Sequence, residues 1–409
     1  MKFMNVATLG LSGCYALWAL TPLLSRSLPN WAIMGVVIAW FICASLSVPN
    51  LRAIRVPRLL IMIVCYVLLL SVYFLSTTTQ AGSGNFLLNV VYFFPICIYL
   101  FLENKSRLRQ LEYFAYFCVG VATLTSLSNV MILQKDPAAS KYLTGSVEST
   151  VVQYQNTNLA SVKWVMSTAV LIPVIFGLRR RVKSRLARAV LYASALLNGA
   201  FVVYAASSTS TWILAILVGG LLLWGLRRKP WLVFVYIVVA GIGLMGVSLS
   251  ADNWGRLLGS WDLYSARLTE ISQYIANPLN AQGSLPARMD DMGISFNSFL
   301  ASPILGVGMV YGLDPTATGI GMHSQVVDDL GRYGLVGGGL LGAIYLQLAR
   351  TTLAHVPAAG RSYCLLGLGG ALLLSVFNPT VSASFGLVLF LLIPGCGLLQ
   401  TQSRSEVPR

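Results

Sequence analysis

The chain has 409 residues, of which 56% are hydrophobic and 10% charged, with a formal net charge of +15. A soluble domain carries about 25% charged residues, so the composition excludes a water-soluble protein and points to a bilayer. Seven cysteines (Cys14, Cys43, Cys65, Cys97, Cys118, Cys364, Cys396) all fall in apolar runs without CxxC or metal-like spacing, which argues against a disulfide framework or zinc site and for small core residues.

Crossing about 30 Å of hydrocarbon takes about 20 apolar residues. In chain order such runs lie near 5–24, 31–48, 59–76, 86–102, 111–133, 159–178, 189–206, 212–226, 231–249, 333–349, 363–378 and 385–400. The expectation is an all-α polytopic protein of about 12 transmembrane helices. The first run is long enough to span and lacks a small-residue cleavage site, so it reads as helix one.

Basic clusters fall on alternate loops: Arg52, Arg55 and Arg58; Lys105, Arg107 and Arg109; Arg179 to Arg188; Arg227, Arg228 and Lys229; Arg350 and Arg361. By the positive-inside rule these loops and both termini face the cytoplasm. Twenty of the 28 basic residues then lie inside with three acids, and eight basic residues lie outside with ten acids. The positive charge is thus a topology signal and no nucleic-acid footprint.

The reading divides the chain into 1–249, spans 1–9 with a polar outer loop at 134–158; 250–332, an extracytoplasmic loop between spans 9 and 10; and 333–409, spans 10–12 and a cytoplasmic tail. The large loop holds eight of the 13 acids and is where chemistry is expected. Within it, Leu257, Trp261, Tyr264, Leu268, Ile271 and Ile275 recur at helical spacing, as in an amphipathic helix on the membrane surface. Met292 to Leu300 reads as a helix ended by Pro303, and Gly306, Gly308 and Gly312 make a tight turn possible.

His323, one of two histidines, follows at the outer mouth of the bundle, near Arg332 and Arg288 in sequence. An imidazole can take a proton from a sugar hydroxyl, and arginines can bind pyrophosphate bidentately; a structural cap is the alternative. Asp328 and Asp329 stand at helical spacing to neutralise Arg332. Gly334, Gly337, Gly338, Gly339 and Gly342 suit close helix packing. Lys163, near the outer end of span six, either snorkels to the interface or lines an outward cavity.

Three segments resemble the O-antigen polymerase and ligase superfamily of integral-membrane glycosyltransferases. PILGVGMVYG is similar to its P-x-x-G-x-G turn, HSQVVDDLGRYGLVG to its His-containing signature, and YQNTNLAS to the Asn-bearing run that opens a middle span; Arg288 matches the arginine upstream of the turn. The resemblance implies a GT-C-like membrane fold and an inverting, metal-independent transfer of glycan from undecaprenyl pyrophosphate to an acceptor hydroxyl, without a cofactor. His323 would be the general base, and Arg288, Arg332, Lys163, Asn158 and Tyr311 would bind pyrophosphate or glycan. Implied partners are the lipid-linked donor, a glycan or lipid acceptor, the bilayer and, for a polymerase, a chain-length regulator. The loop Ser207 to Thr211 lacks the arginine that ligases of this family carry there, which favours a polymerase of O-antigen or capsule over a ligase to lipid A core or protein. A lipid-linked sugar transporter, without the internal repeat that many transporters show, and a structural membrane protein, which would not require His323, are the remaining alternatives.

Overall fold

The computed structural model describes residues 2–47, 57–76, 81–136, 139, 154, 157–205, 213, 218–220, 284–308, 319–354, 356 and 358–402. Nearly all of these are helical: α1 Lys2–Leu20, α2 Pro22–Ser27, α3 Asn30–Ser47, α4 Arg58–Ser76, α5 Ala81–Leu102, α6 Leu108–Leu133, α7 Val162–Arg179, α8 Arg185–Tyr204, α9 Ser284–Ala301, α10 Gln325–Ala354, α11 Ala358–Phe377, α12 Ala383–Leu387 and α13 Ile393–Gln402, the last two joined by a π turn at Val388–Leu392. Among the described residues six helical segments are long and apolar enough to cross a membrane: Phe3–Leu20, Leu108–Leu133, Val162–Arg181, Arg185–Tyr204, Gly360–Phe377 and Ala383–Thr401. Trp31–Ser47, Arg58–Tyr73 and Leu88–Leu102 are shorter apolar helices. The runs expected at 231–249 and over most of 212–226, and the amphipathic helix expected at 257–275, lie outside the described residues.

Burial separates centre from perimeter. The Ala383–Thr401 span is 94% buried and Val162–Arg181 78% buried, against 33% for Arg185–Tyr204, so α7 and α12–α13 form the axis of the bundle. Pro95 within α5 and Pro173 within α7 each remove a helix hydrogen bond, a defect that neighbouring helices offset in membrane bundles. On the perimeter Ile38, Leu68, Leu124, Leu196 and Leu346 are exposed, an apolar surface suited to lipid rather than water. The cysteines divide between these two zones: Cys118, Cys364 and Cys396 are buried core residues, whereas Cys14 and Cys65 are exposed on the perimeter.

Several basic clusters gather at one end of the bundle. Arg107 donates to Asn5 Oδ1 (2.9 Å), Arg181 pairs with Glu112 (3.4 Å), and the Arg180 guanidinium lies over the Tyr363 ring. Each of the helices α7, α11 and α12–α13 joins this end to the opposite one, where the candidate site lies.

At that opposite end α9 and α10 are joined backbone to backbone. The helix of α9 ends at Ala301, two residues before Pro303, as expected, but begins earlier, at Ser284. α10 is broken at Gly334, whose φ of 60° and ψ of −160° are open to glycine alone. An unbroken helix would pair Leu335 N with Gly331 O and Val336 N with Arg332 O. Instead Gly331 O accepts from Val307 N (2.9 Å) and Arg332 O from Gly308 N (2.8 Å), while Leu335 N donates to Pro303 O (2.8 Å) and Val336 N to Ile304 O (3.1 Å). Two helix bonds open, and all four freed groups are taken up by the turn after α9.

So close an approach leaves no room for side chains. A Cβ on Gly306 would stand 2.2 Å from Arg332 O, and one on Gly334 2.3 Å from Ile304 O; Gly306 and Gly308 both have positive φ. This corrects the expectation that the glycines of α10 serve helix packing alike. Gly334 makes the break, whereas a Cβ on Gly339 or Gly342 would meet nothing within 4 Å. Tyr73 of α4 secures the turn by donating to Leu305 O. Gly306→Ala and Gly334→Ala should each cost about 1–3 kcal/mol in backbone strain, in addition to the clash, and lower the melting temperature of detergent-purified protein. Gly339→Ala should melt like the parent.

Candidate functional site

The segment from Gly319 to Ser324 runs along α9 and is fastened to it. Ser298 Oγ donates to Gly319 O (2.6 Å), Gly321 N donates to Ser295 Oγ (2.9 Å), and His323 Nε2 stands 2.9 Å from Asp291 Oδ2. Close packing requires Gly321, where a Cβ would lie 2.0 Å from Asp291 O. Met322 adopts the left-handed conformation, φ 61°, with an exposed side chain. Few non-glycine residues do so without a compensating contact, and here the twist turns His323 back onto α9. The imidazole side chain remains 38% exposed and its carboxylate partner 19% exposed.

Arg288 lies one turn before Asp291 on α9 and donates through Nη1 to Asn378 Oδ1 (3.5 Å). Asn378 begins the link between α11 and α12, and this link is a hub. Gln325 N donates to Asn378 O (3.2 Å), Gln325 Oε1 accepts from Val381 N (3.3 Å), and Lys163 Nζ donates to Val381 O (3.3 Å). Lys163 therefore turns into the protein toward the link and does not snorkel out to the interface. It is close enough to Arg332 to feel that charge. The structure thus gathers His323, Arg288, Lys163 and Arg332 around the start of α10 and the Asn378–Val381 link.

Arg332 is 8% exposed, with Asp328 and Asp329 buried beside it. Asp328 accepts from Ser295 Oγ (2.6 Å) and Asp329 from Gln325 Nε2 (2.8 Å). Both acids lie close enough to Arg332 to interact with its charge, and each also has a hydrogen-bonding duty of its own. Burial raises both carboxyls and pushes Asp329 up to about 7, against the opposing pull of Gln325 and Arg332.

Asn158 serves a different junction. Its Oδ1 accepts from Leu23 N (3.2 Å) and its backbone carbonyl from Asn129 Nδ2 (2.8 Å). These bonds tie the α1–α2 corner and α6 to the entry of α7. Tyr311 lies outside the described residues. Sequence reasoning did not select Asp291, Ser295, Gln325 or Asn378. A hint of the first two exists in the spacing Arg288, Asp291, Ser295, Ser298, which puts four polar side chains on one helix face. The role of Asn378 has no such local sign.

The comparisons bear on this same region. Residues 193–342 match the family model described as O-antigen ligase, a stretch that includes α9, the glycine turn, His323 and the break in α10. The match supports the resemblance to the O-antigen ligase and polymerase superfamily and, at that coarse level, an enzyme that transfers glycan. No curated protein matches the chain significantly.

The Asp329 carboxyl has a measurable consequence. Unfolded, it titrates near 3.8; folded, it keeps its proton up to about 7. Folding therefore takes up a proton in between, and stability falls as pH rises through that window, then levels off. Asp329→Asn should remove this pH dependence, so that parent protein loses melting temperature relative to the variant between pH 5 and pH 8.

Proposed function

We propose that the protein is a polysaccharide polymerase, of O-antigen or capsule, that transfers an undecaprenyl-pyrophosphate-linked glycan to the acceptor hydroxyl of another lipid-linked repeat. The observation that carries this reading is the half-exposed imidazole of His323 set among Arg288, Lys163 and Arg332, at the bundle end opposite the basic loops. By the positive-inside rule that end faces away from the cytoplasm, with the chain in the bacterial cytoplasmic membrane and both termini inside.

In this reading His323 takes the proton of the acceptor hydroxyl as its oxygen attacks the anomeric carbon. The bond from that carbon to the pyrophosphate breaks, its electron pair leaves with the phosphate oxygen, and the configuration inverts. Arg288, assisted by Lys163, stabilises the charge that develops on the leaving group. Arg332, buried beside Asp328 and Asp329, has a structural part in the site. General-base catalysis supplies roughly 10² to 10⁴ in rate, and the pyrophosphate, a good leaving group, accounts for much of the rest. The lipid stays in the bilayer, and a chain-length regulator is the protein partner such a polymerase calls for.

A second reading is a ligase that moves glycan to lipid A core or to a protein, favoured by the description of the matching family model. Against it stands the cation-free stretch Ser207 to Thr211. Loss of the gene separates the two: core carrying a single repeat indicates the polymerase, and bare core indicates the ligase. In cells that insert it at parental abundance, His323→Ala should abolish the long glycan, and Arg288→Ala should reduce it at least about tenfold. An unchanged glycan ladder with His323→Ala would remove the imidazole from the mechanism.

A further inference from the structure

The contacts of residues 319–323 with α9 form a register. Along α9, Ser298, Asp291 and the intervening Ser295 are spaced by three and four residues; along the other segment their partners are Gly319, Gly321 and His323, every second residue, in the antiparallel sense. Extended chain advances about 6.6 Å per two residues, less across the left-handed Met322, and three to four residues of helix advance about 4.5–6 Å. The two repeats agree closely enough for three successive contacts. Only the last contact reaches a titratable ring.

We propose that Asp291 is a positioning residue for His323, and that it makes Nδ1, not Nε2, the atom that receives the acceptor proton. This rests on the reading of His323 as the general base. A carboxylate 2.9 Å from Nε2 accepts a hydrogen bond, so the neutral ring carries its proton on Nε2 and its lone pair on Nδ1. When the acceptor oxygen attacks and Nδ1 takes its proton, the ring becomes an imidazolium with both nitrogens protonated. The Asp291 carboxylate then faces a full positive charge and strengthens its hydrogen bond without itself taking a proton. The proton on Nδ1 leaves to water or to the departing pyrophosphate, which restores the starting tautomer.

The geometry around the pair serves this role. Asp291 is held on a helix between the Arg288–Asn378 and Gly321–Ser295 hydrogen bonds, and the Cβ-free Gly321 lets the segment lie against the Asp291 backbone. The left-handed Met322 directs the following ring onto the carboxylate. The imidazole edge that stays exposed is available to a hydroxyl arriving from outside. Arg288, on the same helix face, sets the cation that would hold the donor in a fixed relation to the base.

The test uses full-length protein in detergent or nanodiscs and, as substrate, the lipid-linked repeat extracted from cells lacking this gene. Asp291→Asn should lower kcat at least about tenfold with KM within about twofold, because an amide does not stabilise imidazolium and can reverse the tautomer by donating to Nε2. Asp291→Glu should recover part of the rate. Replacing His323 with Nδ-methylhistidine, which blocks Nδ1 and leaves Nε2 as the only basic atom, should be as inactive as His323→Ala.

If His323→Ala is inactive while Asp291→Asn turns over like the parent, the positioning role is overturned. If the Nδ-methylhistidine protein is active, the assignment of Nδ1 is overturned; the proposed function survives in either case. If His323→Ala itself turns over normally, the base falls and the inference with it. Melting temperatures of all variants identify any rate loss due to unfolding, and for such a variant the Asp291→Glu rate decides.

Discussion

The exchange of backbone hydrogen bonds at Gly334 is the constraint on which the working end of the molecule depends. A helix broken near the hydrocarbon must find new partners for every group it frees, since an unpaired amide or carbonyl away from water costs several kcal/mol. Here the four groups released on either side of Gly334 meet the four offered by residues 303–308. The fit needs glycine on both sides: Gly306 and Gly334 each stand where a Cβ would strike the other's backbone neighbours. The turn after α9 and the break in α10 are therefore one structural unit, although the bonded residues, such as Val307 with Gly331 and Leu335 with Pro303, are far apart in the chain.

From that unit the positions of the functional groups follow. Docking α9 onto α10 at their Gly306–Gly334 contact leaves the Arg288–Ser298 face of α9 free to take up residues 319–323, and so sets His323 over Asp291. It also fixes the first turns of α10, from which Gln325 reaches the α11–α12 link and Arg332 lies buried among acids. Lys163 approaches the same link from α7, on the axis of the bundle. Four segments distant in sequence, α7, α9, residues 319–332 and the α11–α12 link, thus supply one polar cluster.

The electrostatics of that cluster are graded by depth. Arg332 sits buried with Asp328 and Asp329 beside it, in a site where an uncompensated charge would be costly. Arg288 and His323 lie nearer the surface, His323 with a carboxylate at one edge of the ring. A buried arginine flanked by acids suits the architecture; a half-exposed imidazole and a guanidinium held by a neutral amide suit contact with substrate. The sequence offered both Arg288, through its match to the family pattern, and Arg332 as pyrophosphate ligands, and burial separates their surroundings.

The sequence by itself determined the solvent, the helices and the motifs. Apolar runs of bilayer length need no partner to be recognised, because hydrocarbon imposes internal hydrogen bonding on any segment that crosses it, and the six described helical segments long and apolar enough to span each fall on an expected run. His323 and Arg288 were legible because their segments resemble a family pattern. Asn158 was legible by the same route, yet in the structure its side chain serves the α1–α2 corner. What only the tertiary structure decided is which side chains meet. Asp291 and His323 are 32 residues apart, Arg288 and Asn378 90 apart, Lys163 and Val381 218 apart. No local periodicity encodes such contacts, since they arise from how helices of similar apolar character pack. The glycines show the same division: their number in α10 was plain from the chain, but only the docked turn shows why Gly334 must be glycine and Gly339 need not be.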